Sequence, residues 1–159
     1  MAPARLPFGH PAALLATWFG CGLLPKAPGT WGSLAALPFA AAIAWSAGPW
    51  GLAAATLAVF AAGVWASRRY ADAIGNTDPA AVVIDEVAGQ WLALVPVALD
   101  WALYPVAFLA FRFFDIVKVW PANWMDRRLK GGLGIMADDI VAGLYAAALC
   151  YGLAASLGS

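Results

Sequence analysis

Long apolar runs, broken by short polar or glycine-rich punctuation, dominate the chain. No charged residue occurs between Ala27 and Ser67, and Ser46-Ala47-Gly48-Pro49 places a turn signal near the middle of that run. A helix needs about 20 residues to cross the hydrocarbon core of a bilayer, with about 17 as the short limit. Trp31 to Ala47 and Trp50 to Ser67 each meet that limit and predict a helical hairpin, with tryptophans near the ends where interfacial rings belong. A third run, Val83 to Leu99, stops at Asp100-Trp101, and a fourth follows from Ala102 to about Ile116. A fifth, Ile140 to Leu157, carries no charge. The pattern therefore predicts an all-α, multi-span membrane protein, with about five transmembrane helices in one bundle.

Composition agrees with that reading. The chain is 64% hydrophobic and 11% charged, against roughly half apolar and a quarter charged in a soluble domain. Its 159 residues suit one domain, 1–159, better than two. A formal net charge of zero gives nucleic acid nothing to hold globally, and no nucleic-acid or protein partner is expected. Cys21 and Cys150 lie far apart and fit neither a disulfide framework nor a zinc site. The Arg5-bearing start followed by Ala12 to Leu24 matches a signal peptide poorly, because it has several glycines and runs into a glycine-rich loop.

Charge placement tests the topology. With five spans drawn, Arg5, Lys26, Arg68, Arg69, Arg112, Lys118, Arg127, Arg128 and Lys130 fall at or near one face, and only Asp100 marks the other. Lys and Arg collect in cytoplasmic loops, so that face is expected to be cytoplasmic and the C-terminus outside.

The same drawing gathers the acids. Asp85 and Glu86 begin the third span, Asp115 ends the fourth, and Asp138 and Asp139 begin the fifth, all at one depth. An ionisable group at the bilayer centre costs about 2.5 to 3.5 kcal/mol on insertion scales and marks a functional site by default. Carboxylates brought together repel unless a cation joins them, and oxygen-only ligands favour magnesium or manganese over zinc. Helix capping would account for one acid per helix, at Asp85 and Asp138, but not for doubled acids plus Asp115. His10, the single histidine, reads as a surface residue.

Two further segments fit a phosphate. The loop from Phe19 to Ser33 joins glycines, Lys26 and the hydroxyls of Thr30 and Ser33. It could cradle an anion, or be a tight turn capped by Thr30 or Ser33; it lacks the Walker spacing. Arg112, Asp115 and Lys118 lie three apart and share a helical face, which suits a phosphate beside a metal or mutual ion pairing. Beyond them, Arg127, Arg128 and Lys130 are expected to meet anionic headgroups, and Gly131-Gly132-Leu133-Gly134 to form a flexible loop leading to Asp138. Gly89 and Gly143, within a turn of the acids, would let helices pack closely.

From about Thr17 to Tyr145, the stretches F-G-x-G-x-x-P-x-A-P-G-T-x-G-S, D-E-x-x-G, F-R-x-F-D-I-x-K and G-G-x-G-I-M-x-D-D-x-x-A-G occur in this order. Together they resemble phosphatidylglycerophosphatase A. The family commonly has proline directly after the lysine of F-D-I-x-K, whereas Val119 follows Lys118 here. The resemblance implies magnesium-dependent removal of the terminal phosphate of phosphatidylglycerophosphate, giving phosphatidylglycerol, in the bacterial inner membrane. On that reading Asp85, Glu86, Asp138 and Asp139 hold magnesium, and Asp115 serves as general base or second ligand. Lys26, Thr30, Ser33, Arg112 and Lys118 would contact the phosphate. An aspartyl-phosphate intermediate is an open alternative. A cysteine-phosphatase route lacks its arginine, since Ala27 stands six residues after Cys21. The rival classes are another lipid-phosphate enzyme and an ion pathway; a pathway would continue across the bilayer, whereas these acids stop at one face.

Overall fold

The computed structural model describes residues 6–158, and no strand occurs among them. Six α-helices follow in order: α1 (Pro11–Ala16), α2 (Pro28–Ile74), α3 (Ile84–Leu94), α4 (Tyr104–Val117), α5 (Ala122–Arg128) and α6 (Gly131–Leu157), with short 3-10 turns between some of them. Arg5 lies outside the described residues.

Helix α2 is interrupted at Gly48, whose φ of 68° and ψ of −172° are not helical, followed directly by Pro49. Glycine adopts that conformation without a Cβ clash, and proline supplies no amide to continue the ladder. The two arms, 28–47 and 49–74, fold back on each other. A Cβ on Gly32 would lie 2.8 Å from that of Val83, and one on Gly63 would lie 3.4 Å from Ile84 Cγ2. A straight helix would hold those two glycines about 45 Å apart, so adjacent residues of α3 could not reach both. The hairpin predicted around Ser46-Pro49 is therefore present, with longer arms.

The expected five-span count is not met by helix length. Two helices, α2 and α6, are long and apolar enough to cross a membrane. Helix α3 has 11 residues and α4 has 14, short of a full crossing. Pro96 turns the chain into a 3-10 segment at Val95–Val97, and Asp100 then accepts from the Ala102 amide to start another at Trp101–Leu103. The apolar run continues through these turns, which is why the third run, read to Leu99, overshoots the end of α3 at Leu94. Pro49, Pro96 and Ala98 nevertheless line one recess with Ala154, so this turn reaches the same end of the molecule as the Gly48 bend.

Helix α6 starts nine residues before the expected Ile140, correcting the flexible loop read at Gly131–Gly134. Those glycines serve close approach: a Cβ on Gly132 would lie 1.9 Å from the Val64 carbonyl oxygen. Asp138 and Asp139 consequently sit in the third turn of α6 and do not open it. Helix α3 packs against both α2 and α6. Trp91 donates from Nε1 to the Ala36 carbonyl at 2.9 Å, pinning α3 to the first arm. On its other side, a Gly143 Cβ would fall 2.6 Å from the Gly89 carbonyl oxygen, and a Gly89 Cβ 2.6 Å from that of Asp139. The backbones of α3 and α6 touch there as the two glycines suggested. Outside this core the surface is apolar, with Leu57, Leu109, Ile116 and Leu157 exposed along the helices.

Gly143→Ala is expected to destabilise the fold by about 1 to 3 kcal/mol through overpacking. Gly152→Ala has open space around it and is expected to add about 0.5 to 1 kcal/mol through helix propensity. Opposite shifts in unfolding midpoint in detergent would bear this out, and equal shifts would refute it.

Candidate active site

All five acids named from the sequence line one cavity of about 510 Å³. Its walls come from the start of α2, the 77–82 loop, the start of α3, the end of α4, the α5–α6 joint and the third turn of α6. It lies at the opposite end of α3 from the Pro96 turn.

Three of the acids converge. One carboxylate oxygen each from Asp85, Glu86 and Asp139 lies within 4.8 Å of the others. Asp85 Oδ1, Glu86 Oε2 and Asp139 Oδ2 are buried, and no donor of the described residues reaches them. Buried carboxylate oxygens without donors are costly, and three facing one point repel one another. A hard divalent cation, which takes oxygen ligands, fits this donor set.

The other two acids are matched to cations. Arg112 Nη1 donates to Asp115 Oδ2 and lies 3.7 Å from Glu86 Oε1, linking α4 to α3. Asp115 also lies beside Asp139. Lys118 donates to Asp138 and lies 3.6 Å from Asp126 Oδ1. Asp138 is thus directed to Lys118 and lies outside the triad, because successive helical residues point about 100° apart. Lys118 caps α4 in the left-handed region at φ 48°, a conformation that bulky residues rarely take, and this turn presents its ammonium to α6. Burial would lower the Lys118 pKa, but the hydrogen bond and charge of Asp138 outweigh it, and the net shift is upward. The ammonium therefore stays charged through the neutral range. Val119 in place of the family's proline does not prevent this pairing.

The phosphate loop separates into residues that face the cavity and residues that do not. Thr30 lines it, alongside Ala27, Pro28 and Gly29. Lys26 is exposed and does not line it. Ser33 is fully buried, and its hydroxyl donates to the Gly29 carbonyl at 3.0 Å, away from the cavity lining. Neither Thr30 nor Ser33 caps α2; its N-cap is Ala27, with no side-chain bond. Gly29 matters more than its type suggested, because a Cβ there would lie 2.1 Å from Glu86 Oε1 and 3.2 Å from Arg112 Nη1. His10, read as a plain surface residue, caps α1 through Nδ1.

Sequence reasoning did not single out Asp126, which partners Lys118, or Asp78, which lines the cavity. It also passed over Gln90, fully buried one turn beyond Glu86 with both amide atoms unpartnered. An isolated acid in a polar loop carries no spacing signal, but a glutamine inside an apolar run four residues after Glu86 could have been noticed.

The sequence profile of the phosphatidylglycerophosphatase A family matches residues 14–154. An Escherichia coli protein named phosphatidylglycerophosphatase A is 40% identical over 153 residues, covering 95% of this chain and 88% of that protein. A Haemophilus influenzae protein of the same name is 35% identical over 145 residues, covering 91% and 89%. A Bacteroides thetaiotaomicron protein named "Putative phosphatidylinositol-3-phosphatase" is 39% identical over 156 residues, covering 90% of each. No solved structure matches the chain.

Gly29→Ala should spare the fold, since the clashing atom is the tip of a flexible side chain, while displacing the Glu86 carboxylate. The expected result is at least about a tenfold loss of phosphatase activity with an unfolding midpoint near wild type. Full activity would mean that the Glu86 position is unimportant.

Proposed function

Because the chain belongs to the phosphatidylglycerophosphatase A family, we propose that it hydrolyses the terminal phosphate monoester of phosphatidylglycerophosphate, yielding phosphatidylglycerol and phosphate. The observation that carries the chemistry is the carboxylate triad of Asp85, Glu86 and Asp139, which brings one oxygen of each within 4.8 Å of the others and leaves one buried oxygen on each without a donor among the described residues. This donor set suits magnesium, with Asp138 close by on α6. A bound magnesium ion would supply positive charge to the phosphate and acidify the attacking water.

The remaining steps belong to the chain's own residues. Water attacks phosphorus in line, forming the new O–P bond as the bond to the headgroup oxygen breaks. Asp115, held by Arg112 beside Asp139, accepts the proton of that water, and the departing headgroup oxygen takes up a proton from solvent to leave as the alcohol. Arg112 and Lys118 balance the phosphate oxygens, and Thr30 offers its hydroxyl from the cavity wall. Lys118 acts as fixed charge, since a raised pKa makes it a poor proton donor.

The setting we propose is the bacterial inner membrane. Both long apolar helices support it, as do Trp45 and Trp50, 79% and 86% exposed beside the Gly48 bend. The α3–α4 turn lies at the same end as that bend, which favours a multi-pass arrangement in which these short helices complete the bundle. Arg112, Lys118, Arg127 and Lys130 line the opposite, cavity end, which on charge grounds faces the cytoplasm.

Purified protein should release phosphate from phosphatidylglycerophosphate, lose that activity in chelator and regain it with magnesium. Asp139→Asn should reduce turnover by about a hundredfold or more. Phosphatidylinositol 3-phosphate serves as the comparison substrate, and preference for it would redirect the reading to another headgroup. Undiminished activity in chelator would remove the metal.

A further inference from the structure

The basic residues lining the cavity divide by what they already face. Arg112 is engaged by Glu86 and Asp115, and Lys118 by Asp138 and Asp126. Arg127 and Lys130 line the same cavity from the α5–α6 joint, are exposed, and have no carboxylate partner among the described residues. Two of the four cations therefore already face carboxylates, and two face none among the described residues.

Lys130 also lines a second recess of about 680 Å³ between the second arm of α2 and the start of α6. Thr77, Lys130 and Gly131 border both spaces, so the two adjoin at Lys130. The lining of the recess is mixed, with the apolar side chains of Val64, Ala71 and Leu133 beside the polar ones of Arg68, Asp72 and Asn76. From the triad outward, the order is carboxylates, then cations without a carboxylate partner, then a recess that offers apolar as well as polar walls.

A lipid with two phosphates has that same order: a monoester at the tip, a phosphodiester, then diacylglycerol. Resting on the proposed phosphatase reading, we infer that Arg127 and Lys130 form a second anion subsite, which binds the phosphodiester of the substrate and selects lipids with a second phosphate. The diester takes no part in bond breaking. Its contacts are the same in the ground and transition states, so they set KM and leave turnover alone. Each ionic contact at a partly solvated rim is worth only a modest factor.

The test compares Arg127→Gln and Lys130→Gln with Arg69→Gln, an exposed arginine at the same end that lines neither space. The first two should raise KM for phosphatidylglycerophosphate by about three- to tenfold with kcat within about twofold, and Lys130→Arg should stay near wild type. Phosphatidylglycerol keeps the diester and lacks the monoester, so its inhibition constant should rise by the same factor. Inhibition by inorganic phosphate should not change. Unchanged KM in both variants overturns the subsite, and an equal rise in Arg69→Gln reduces it to general attraction of an anionic surface. Equal weakening of inorganic phosphate inhibition would assign both residues to the monoester. A wild-type protein inert toward phosphatidylglycerophosphate would instead defeat the underlying phosphatase reading.

Discussion

The contact between the α3 and α6 backbones at Gly89 and Gly143 is the constraint on which the site depends. A carboxylate side chain is short, so acids on two helices share one point only if the helix axes come unusually close. Each of the two glycines lies where a Cβ would strike the other helix's backbone. This contact lies one turn beyond Asp85 and Glu86 along α3 and one turn beyond Asp139 along α6. Association of helices in lipid is driven by packing of this kind, because apolar side chains gain little from leaving hydrocarbon. The repulsion among the acids is thus opposed by a packing contact that cannot relax without separating the helices.

Around that contact, the charged residues divide by their partners. Three acids, Asp85, Glu86 and Asp139, retain oxygens that no donor of the described residues reaches. Asp115 and Asp138, set as deep as Glu86, have Arg112 and Lys118. Exposed on the cavity wall, Arg127 and Lys130 have no carboxylate partner among the described residues. A ligand entering from the rim would meet positive charge first and a strongly negative pocket last, an order suited to an anion that shares its site with a cation. The first arm of α2 contributes chiefly by omission, since only a residue without a side chain at position 29 leaves Glu86 its place.

Much of this was legible in the chain. The Gly48-Pro49 bend follows from two residues that cannot continue a helix, and the gathering of five acids at one end follows from where apolar runs start and stop. Other features were not legible. Hydropathy is blind to the difference between a helix and a 3-10 turn when both are apolar, so α3 was drawn too long and α4 was begun two residues early. Glycine in Gly131–Gly134 suggested flexibility, whereas Gly132 is there to meet the Val64 backbone, a partner 68 residues earlier in the chain. Ser33 and Lys26 belong to a motif whose spacing suggests a phosphate cradle, yet the hydroxyl of Ser33 turns back into its own helix and Lys26 stays outside the cavity.

The sequence by itself determined the helical class, the apolar character of the long helices, the family and the end of the molecule where charge collects. These depend on local spacing and composition, which a linear pattern records. Only the tertiary structure decided which acids meet, that Asp138 turns to Lys118 while Asp139 joins Asp85 and Glu86, and which cations remain unpaired. Those outcomes depend on the rotation and approach of helices distant in sequence, where about 100° per residue separates a shared site from an ion pair.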